Sequence, residues 1–444
     1  MSAVAWTVLA AGDPAARAAR DARPVGARAG TTAAESTSTG PALHWTRLGD
    51  AVVLFADGQE PVRRAVGPDA AVGDAGGLSL VLQVGRAFQR AHPEVPVLLD
   101  RGRHLVVDAA ATGPGEGLDW AVRPLPRDAV VVDRPPPPTR RADPALGELL
   151  GALSQSSYEG TLRVVTAPPT RHSLDPGFVI AAETAAAELT ALGYAVAREP
   201  ITVGVGDSEN VVADLAGTGQ APRGLVAAAA HLDSVNHADG PDALAPGADD
   251  NASGAAGLLE LARALATRRW RHDLRLILFG GEEQGLFGSK QHVAALGEAD
   301  RGRLRAVVNM DMIARLNTPE AGVLLEGAEV SRTLVDELAA AAATWTSLVV
   351  STSLHPYASD HVPFIDAGIP AVLTIEGNDS ANGDVHTARD TLATLHAPLA
   401  LQILRMNLAV LAGYLEADGG ADGVASGAQG AEPGAHGAPP GAPA

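Results

Sequence analysis

Hydrophobic runs rich in β-branched residues alternate with segments of helical periodicity beyond Asp143. This alternation predicts parallel strands joined by helices that cover both faces of one mostly parallel mixed sheet. The predicted strands are 210–215, 224–230, 274–279, 305–309 and 371–375, and the predicted helices are 180–192, 258–265, 330–343 and 398–415. We therefore predict an α/β catalytic domain over residues 143–417.

The first third of the chain has a different pattern. Residues 42–134 carry shorter β-type runs at 51–55, 97–99 and 105–107 with a predicted helix near 80–92, which indicates a small α/β accessory domain. A Pro-rich linker is predicted over 135–142. The composition predicts a disordered leader or weak signal region over 1–41 and a disordered Gly/Ala/Pro tail over 418–444.

The composition limits the partners and the metal ligands that the chain can have. The chain has 33 basic and 52 acidic residues and a formal net charge of −19, which argues against nucleic acid as a partner. It contains no cysteine, so a metal ion must be held by nitrogen and oxygen atoms. No uninterrupted apolar run approaches the roughly 20 residues needed to cross a bilayer, so no membrane span is predicted.

Clusters of acidic residues and histidines follow several predicted strands. In open α/β sheets, ligands bind at the edge where the strands end, so side chains from these separate loops can meet there. The clusters run from His231 to Ser234, from Gly247 to Asn251, from Gly281 to Gly285, from Asn309 to Met312 and from Asp384 to Thr387.

This pattern suits a hydrolase with two metal ions. Two divalent cations a few ångströms apart repel each other, so a carboxylate must bridge them. Without cysteine, each zinc can be completed by one imidazole and one further carboxylate, with a position left for water and substrate. The candidate ligands are His231, Asp250, Glu283, Asp311 and His386.

Two neighbouring acids suit supporting roles. Within the pair Glu282 and Glu283, one side chain can bind metal while the other serves as the general base. Asp233 lies two residues after His231 and can orient a metal-bound imidazole, although a turn-capping aspartate is the alternative.

The ordered motifs from 151 to 415 resemble the di-zinc aminopeptidases of metallopeptidase family 28, represented by secreted bacterial leucyl aminopeptidases. They include Thr170 to Ser173, Pro246 to Gly254, Gly281 to Ser289 and His386 to Thr391. The resemblance implies the three-layer zinc-exopeptidase fold and two Zn²⁺ ions per chain.

Ligand roles also follow from the resemblance. It implies that Asp250 bridges both ions, that Glu283 and His386 complete one, and that His231 and Asp311 complete the other. It further implies a cis peptide bond directly after Asp250. Glu282 would be the general base that deprotonates a water held between the two metals.

For Tyr357 the sequence leaves two interpretations open. Tyr357 lies near a position where some members of the family carry a tyrosine that stabilises the oxyanion, but the spacing departs by one residue, and an exposed loop tyrosine is the alternative. Asp360 and Asp390 are predicted to support the site. His355 and His361 are predicted to be structural.

The resemblance implies an aminopeptidase that acts on peptides with a free N-terminus, in a secreted or cell-envelope location. The alternatives are a glutaminyl cyclase with one zinc, a carboxypeptidase or deacylase, and a receptor ectodomain that has lost its ligands. A serine hydrolase is disfavoured because no G-x-S-x-G elbow is present. The accessory domain is a candidate propeptide-like chaperone or inhibitor that covers the site. His237 is predicted to be solvent-exposed, and the oligomeric state stays open.

Overall fold

The computed structural model describes residues 4–21, 42–108, 119–136, 138 and 141–418. Residues 4–136 are here called the N-terminal unit and residues 141–418 the C-terminal unit. The N-terminal unit contains β1 (Val4–Ala10), α1 (Pro14–Asp21), β2 (His44–Leu48), β3 (Ala51–Asp57), α2 (Gln59–Val66), β4 (Gly73–Ala75), β5 (Leu78–Gln83), α3 (Ala87–Ala91), β6 (Val97–Arg101), β7 (His104–Asp108), β8 (Trp120–Pro124) and β9 (Ala129–Asp133).

The C-terminal unit alternates helices and strands as the pattern predicts. Its elements are α4 (Pro144–Leu150), α5 (Gln155–Val165), α6 (Pro176–Ala191), β10 (Ala195–Val203), β11 (Gly206–Leu215), β12 (Leu225–His231), an irregular helical turn at Ala248–Ser253, α7 (Gly254–Leu265), β13 (Asp273–Phe279), α8 (Phe287–Ala295), α9 (Glu298–Arg303), β14 (Leu304–Met310), β15 (Gly322–Glu326), α10 (Arg332–Trp345), β16 (Val349–Ser353), α11 (His361–Asp366), β17 (Ala371–Glu376) and α12 (Ala397–Leu415).

The C-terminal sheet has the order β10-β11-β13-β12-β14-β17-β15-β16. Its centre is parallel, because β12 pairs in parallel with both β13 and β14, and β14 pairs in parallel with β17. The strands β10 and β11 are antiparallel to their neighbours. This is the predicted mixed sheet with a parallel core.

Alternating side chains of β12 serve the two faces of the sheet. Val226 and Ala228 pack in the large core with helices α5, α6, α7, α10 and α12. Leu225 and Ala227 point the other way and pack with Val293 of α8 and with α11. The sheet is therefore covered by helices on both faces, and the predicted three-layer α/β architecture is confirmed.

The N-terminal unit continues the same sheet instead of standing apart. The strand β9 pairs with β16 through Asp133 and Val132, and β2, β3, β1 and β4 follow beyond it. Within the described residues this gives a 13-stranded sheet, while β6, β7, β5 and β8 form a second, 4-stranded sheet. Of the predicted linker, residues 137, 139 and 140 lie outside the described part of the chain.

Two predictions for the N-terminal unit are wrong. The leader predicted over 1–41 contains β1, which pairs with β3 from Val4↔Asp57 to Ala10↔Ala51, and α1 packs beside it; residues 22–41 are outside the described part. The helix predicted near 80–92 is instead β5 followed by the short α3. A short apolar run fits a buried strand or a buried helix equally well, and pairing with β7 and β8 decides for the strand.

The helix α12 is long and apolar enough to cross a membrane by its length and composition. However, 67% of its most apolar window is buried inside the protein. Residues such as Ile403, Leu404 and Leu411 are fully buried in the large core. Its apolar surface is thus used in packing against the sheet and α10.

Candidate metal centre

The candidate metal centre lies where the central parallel strands end. His231 is the last residue of β12, Asp311 directly follows β14, and Glu283 lies in the loop after β13. His386 comes from the loop between β17 and α12, and Asp250 from the irregular turn before α7. Parallel strands end at a shared edge, so all five predicted ligands are brought together.

Asp250 lies between the two histidines. Its Oδ1 is 3.3 Å from His231 Nε2, and its Oδ2 is 3.0 Å from His386 Nε2. Glu283 Oε2 is 2.9 Å from that same nitrogen of His386, and Asp311 Oδ1 is 3.2 Å from His231 Nε2. Each imidazole therefore faces Asp250 and one further carboxylate.

Glu282 reaches the centre from the cleft side. Its Oε2 is 3.9 Å from His231 Nε2, and its side chain is 11% exposed. Ligand atoms of His231, Glu282 and Asp311 lie within 4.8 Å of one another, as do those of His231, Asp250 and Glu283. Glu282 is thus close enough to act on a molecule bound at the centre.

Buried polar contacts fix the backbone at Asp250. The carboxylate of Asp390 accepts hydrogen bonds of 2.9 Å from the backbone N–H groups of both Asp249 and Asp250. The side-chain amide of Asn251 donates to the Met310 carbonyl at 2.9 Å. The Asp250–Asn251 peptide bond is cis, as the resemblance implied.

A buried arginine ties this turn to the end of β12. Arg171 is fully buried, and its guanidinium donates to the carbonyl oxygens of Leu232, Pro246 and Gly247. Arg171 belongs to the motif from Thr170 to Ser173, and the sequence alone predicts no role for it. Because these hydrogen bonds go to backbone carbonyls on both segments, the guanidinium holds the loop that carries Asp250 next to the end of β12.

Asp233 links the glutamate pair to the first histidine. Its carboxylate accepts from the backbone N–H groups of Glu282 at 3.3 Å and Glu283 at 3.2 Å. The same carboxylate lies 3.5 Å from His231 Nδ1, and the backbone carbonyl oxygen of Asp233 lies 3.2 Å from that nitrogen. Asp233 is therefore placed to orient the imidazole, as expected of a carboxylate that supports a metal ligand.

The centre concentrates negative charge in a buried space. Burial, with Asp250 nearby, raises the pKa of Glu283 to about 7, and burial raises the pKa of Glu282 well above its usual range. Burial alone would lower the pKa of the histidines, but Glu282 beside His231 and Glu283 beside His386 raise it well above the usual range. The carboxylates outnumber the imidazoles, which suits the binding of divalent cations.

The donor set also fits zinc. Glu283 Oε1 is buried without a hydrogen-bond partner among the described residues, so it is available as a ligand atom. Imidazole nitrogen and carboxylate oxygen are both common zinc ligands. The neighbouring backbone at His386 has a φ of 58°, a left-handed conformation that is uncommon outside glycine and often occurs at functional sites.

A cleft of about 350 Å³ opens over the centre, within the size range of small-molecule sites. Its lining includes Tyr357 and Leu286 of the C-terminal unit and Val84, Asp119 and Arg123 of the N-terminal unit. Tyr357 therefore lies at the cleft, and its role with the oxyanion stays a prediction. The hypothesis that the N-terminal unit covers the site named none of these three residues.

The loop that carries Tyr357 is held by a buried ion pair between the two units. Arg103 Nε lies 3.3 Å from Glu326 Oε2, and the two side chains are 1% and 0% exposed. The Arg103 guanidinium also donates to the carbonyl oxygens of Tyr357 and Ala358. Glu326 Oε1 accepts from the Tyr357 backbone N–H at 3.0 Å.

This clamped loop continues directly into the metal centre. Ser359 Oγ donates to Asp311 Oδ2 at 2.7 Å and accepts from the Asn309 side chain at 2.9 Å. Arg103 thus acts on the centre through the loop, although it is far from Asp311 in the chain. A buried arginine in an accessory segment gives no sequence signal of such a contact.

The remaining predicted residues lie around this core. Asp360 and His361 are fully buried, and His361 Nε2 lies 3.5 Å from Glu326 Oε1, which fits a structural role. His355 is half-buried. His237 is at the surface as predicted, yet its ring packs edge-on against His386 with ring centroids 4.4 Å apart.

Comparison with known proteins gives a family match for part of the chain. Residues 210–411 match the family model described as Peptidase family M28. Aminopeptidase YwaD of Bacillus subtilis (strain 168) is 31% identical over 171 residues, which are 38% of this chain and 36% of that protein. Leupeptin-inactivating enzyme 1 of Streptomyces exfoliatus is 31% identical over 197 residues, 43% of this chain and 41% of that protein. The chain spans less than half the length of these two relatives.

Solved structures share the fold at low sequence identity. The Legionella pneumophila LapA aminopeptidase superimposes with a TM-score of 0.54 and 16% identity, covering 76% of this chain and 98% of that one. An aminopeptidase from Aneurinibacillus sp. strain AM-1 superimposes with a TM-score of 0.52 and 17% identity, covering 61% of this chain and 96% of that one. A glutaminyl cyclase from Fimbriiglobus ruber superimposes with a TM-score of 0.50 and 20% identity, covering 64% of this chain and 99% of that one. The fold is therefore shared by aminopeptidases and a cyclase.

Proposed function

We propose that the protein is a zinc aminopeptidase that removes N-terminal residues from peptides, because residues 210–411 match the family model described as Peptidase family M28. The position of Asp250 carries the proposal. Its two carboxylate oxygens face different histidines, at 3.3 Å from His231 and 3.0 Å from His386. This supports a shared carboxylate between two zinc ions.

Each ion would be held by three side chains. Asp250, Glu283 and His386 would hold one ion, and Asp250, His231 and Asp311 would hold the other. Bound zinc would supply a Lewis acid that polarises the scissile carbonyl group and makes water more acidic. The orphan Oε1 of Glu283 and the surplus of carboxylates support this assignment.

Glu282 moves the proton in the proposed reaction. Its carboxylate accepts a proton from the attacking water and then donates it to the departing amine, so that the glutamate returns to its starting state. Its location at the cleft, 3.9 Å from His231 but outside the two ligand sets, supports this role. Substituting the base in such a step typically lowers the rate about 10²–10⁴-fold.

The cleft would orient the substrate. The free α-amine of a peptide is a cation, and the carboxylates of the centre provide the complementary charge. The side chain of the N-terminal residue would lie in the cleft of about 350 Å³. The Tyr357 hydroxyl would donate a hydrogen bond to the oxyanion that develops at the carbonyl group.

The direct test is hydrolysis of a panel of aminoacyl-nitroanilides and short peptides, with and without a chelator. We expect release of free amino acids, loss of release after chelation and recovery when zinc is restored. Amino-terminal acetylation of the same peptides should abolish release. A protein that cyclises N-terminal glutamine instead of releasing amino acids would be a cyclase, and the proposal would be wrong.

Glu282→Gln tests the base. We expect it to bind zinc like the wild type while kcat falls about 10²–10⁴-fold. Glu298→Gln is the matched control, because Glu298 is exposed on α9 and should leave kcat unchanged. Normal turnover by Glu282→Gln would show that another group moves the proton.

A further inference from the structure

One side chain of the N-terminal unit reaches a candidate zinc ligand. Asp119 lies directly before β8, and its side chain is 18% exposed. Its Oδ2 is 3.7 Å from His386 Nδ1 and 3.0 Å from His237 Nδ1. His386 Nε2 faces Asp250 and Glu283, so Nδ1 is the nitrogen that remains for a second partner.

His237 holds Asp119 and His386 together. Besides its contact with Asp119, its ring packs edge-on against the His386 ring at 4.4 Å between centroids. Its backbone N–H donates to the His386 carbonyl oxygen at 3.1 Å. Candidate ligand atoms of Asp119, His237 and His386 lie within 4.8 Å of one another. The carboxylate therefore approaches the imidazole as part of a connected cluster.

The other histidine of the centre has a matching partner. His231 Nδ1 faces Asp233, which lies two residues later in the same unit. Carboxylates in this position fix the ring orientation and raise the basicity of a metal-binding imidazole. Both histidines thus have a carboxylate behind them, but the one behind His386 comes from a different unit of the chain.

The N-terminal unit is firmly attached at this point. The ladder between β9 and β16 joins the two units into one sheet. The buried pair Arg103–Glu326 and the bonds from Arg103 to the loop of Tyr357 join them again next to the cleft. Asp119 is therefore presented to His386 by a docked unit that shares buried contacts with the C-terminal unit.

We propose that Asp119 is a positioning residue of the metal centre, which makes the N-terminal unit a permanent part of that centre and not a removable propeptide. Asp119 Oδ2, 3.7 Å from His386 Nδ1, places a negative charge behind the imidazole and so favours the ring orientation in which Nε2 faces the metal. The inference rests on the proposed function only in taking His386 as a zinc ligand.

The test measures zinc affinity in the full-length protein. Metal-free protein is titrated with zinc against a chromophoric chelator, so that the two binding steps are resolved. For Asp119→Asn we expect one step to weaken about 10–100-fold while the other stays unchanged. Asp233→Asn should instead weaken the step that involves His231. Asp69→Asn, which alters an exposed carboxylate in the same unit, should change neither step.

The melting temperature of the metal-free variants separates positioning from folding. We expect metal-free Asp119→Asn to melt with the wild type. Unchanged affinity in both steps would overturn the proposal, and so would an equal loss in both steps together with a lower melting temperature. A wild type that binds two zinc ions but releases no amino acids would refute the peptidase activity alone, because the affinities of Asp119→Asn would still decide the role of Asp119.

Discussion

Substitution of Arg103 by methionine should weaken the attachment between the two units. Methionine keeps much of the aliphatic length but removes the guanidinium from a position where the side chain is 1% exposed. Glu326, which is 0% exposed, is then left as a buried carboxylate without its arginine. Breaking a buried pair by removing one partner typically costs about 3–5 kcal/mol.

The remaining contacts of Glu326 place the expected cost at the lower end of this range. Its carboxylate still accepts from the Tyr357 backbone N–H at 3.0 Å, and His361 lies 3.5 Å away. We therefore expect Arg103→Met to lower the free energy of unfolding by about 3 kcal/mol. The bonds to the loop of Tyr357 and Ala358 are lost as well, so kcat should also fall.

Urea unfolding of the single and double variants measures the pair. Arg103→Met combined with Glu326→Gln should be less destabilised than the sum of the two single variants, because no uncompensated charge remains buried. The control Arg64→Met removes an arginine that is 76% exposed and paired within α2, and it should have no measurable effect. A cost for Arg103→Met no larger than that of the control, or strict additivity in the double variant, would refute the reasoning.

Three further predictions concern pH, the oxyanion and the metal. Burial would raise the pKa of Glu326, but Arg103 and His361 lower it to about 2. The ionised carboxylate therefore stabilises the folded protein at pH values above its unfolded pKa of about 4.5, and this contribution is lost as the pH falls toward 2. The stability of Glu326→Gln should therefore fall less steeply in that window in acid titrations of unfolding, and parallel curves would contradict this. Tyr357→Phe should lower kcat about 10²-fold with little change in KM, measured by steady-state kinetics, and an unchanged kcat would exclude the hydroxyl from the reaction. Removal of metal should lower the melting temperature, and zinc should restore it, because a ligand that binds only the folded state stabilises it; an identical melting curve would argue against a bound metal.

The centre could be predicted because its parts share one physical origin. His231 and Asp311 stand at the ends of parallel strands, and such ends always meet at one edge of the sheet. Two neighbouring cations need a carboxylate between them, and the resemblance to metallopeptidase family 28 implied that Asp250 is that carboxylate. The resemblance also implied that Glu283 binds metal and Glu282 is the general base, a choice that the residues alone left open.

The N-terminal residues that contact the centre could not be predicted, because contacts between units leave no local pattern. Asp119 looks like any acidic residue before a strand, and Arg103 looks like any arginine after a turn. The strand β1 was missed for a related reason, since its partner β3 lies more than 40 residues away and the intervening composition suggests disorder. Such long-range pairing is decided by tertiary packing and not by local preference.

The most direct test of the central claim is anomalous diffraction at the zinc absorption edge from crystals of the zinc-loaded protein. We expect two peaks about 3.5–4 Å apart, one beside His231 and one beside His386, with Asp250 in contact with both. A single peak, or two peaks that do not share Asp250, would contradict the account.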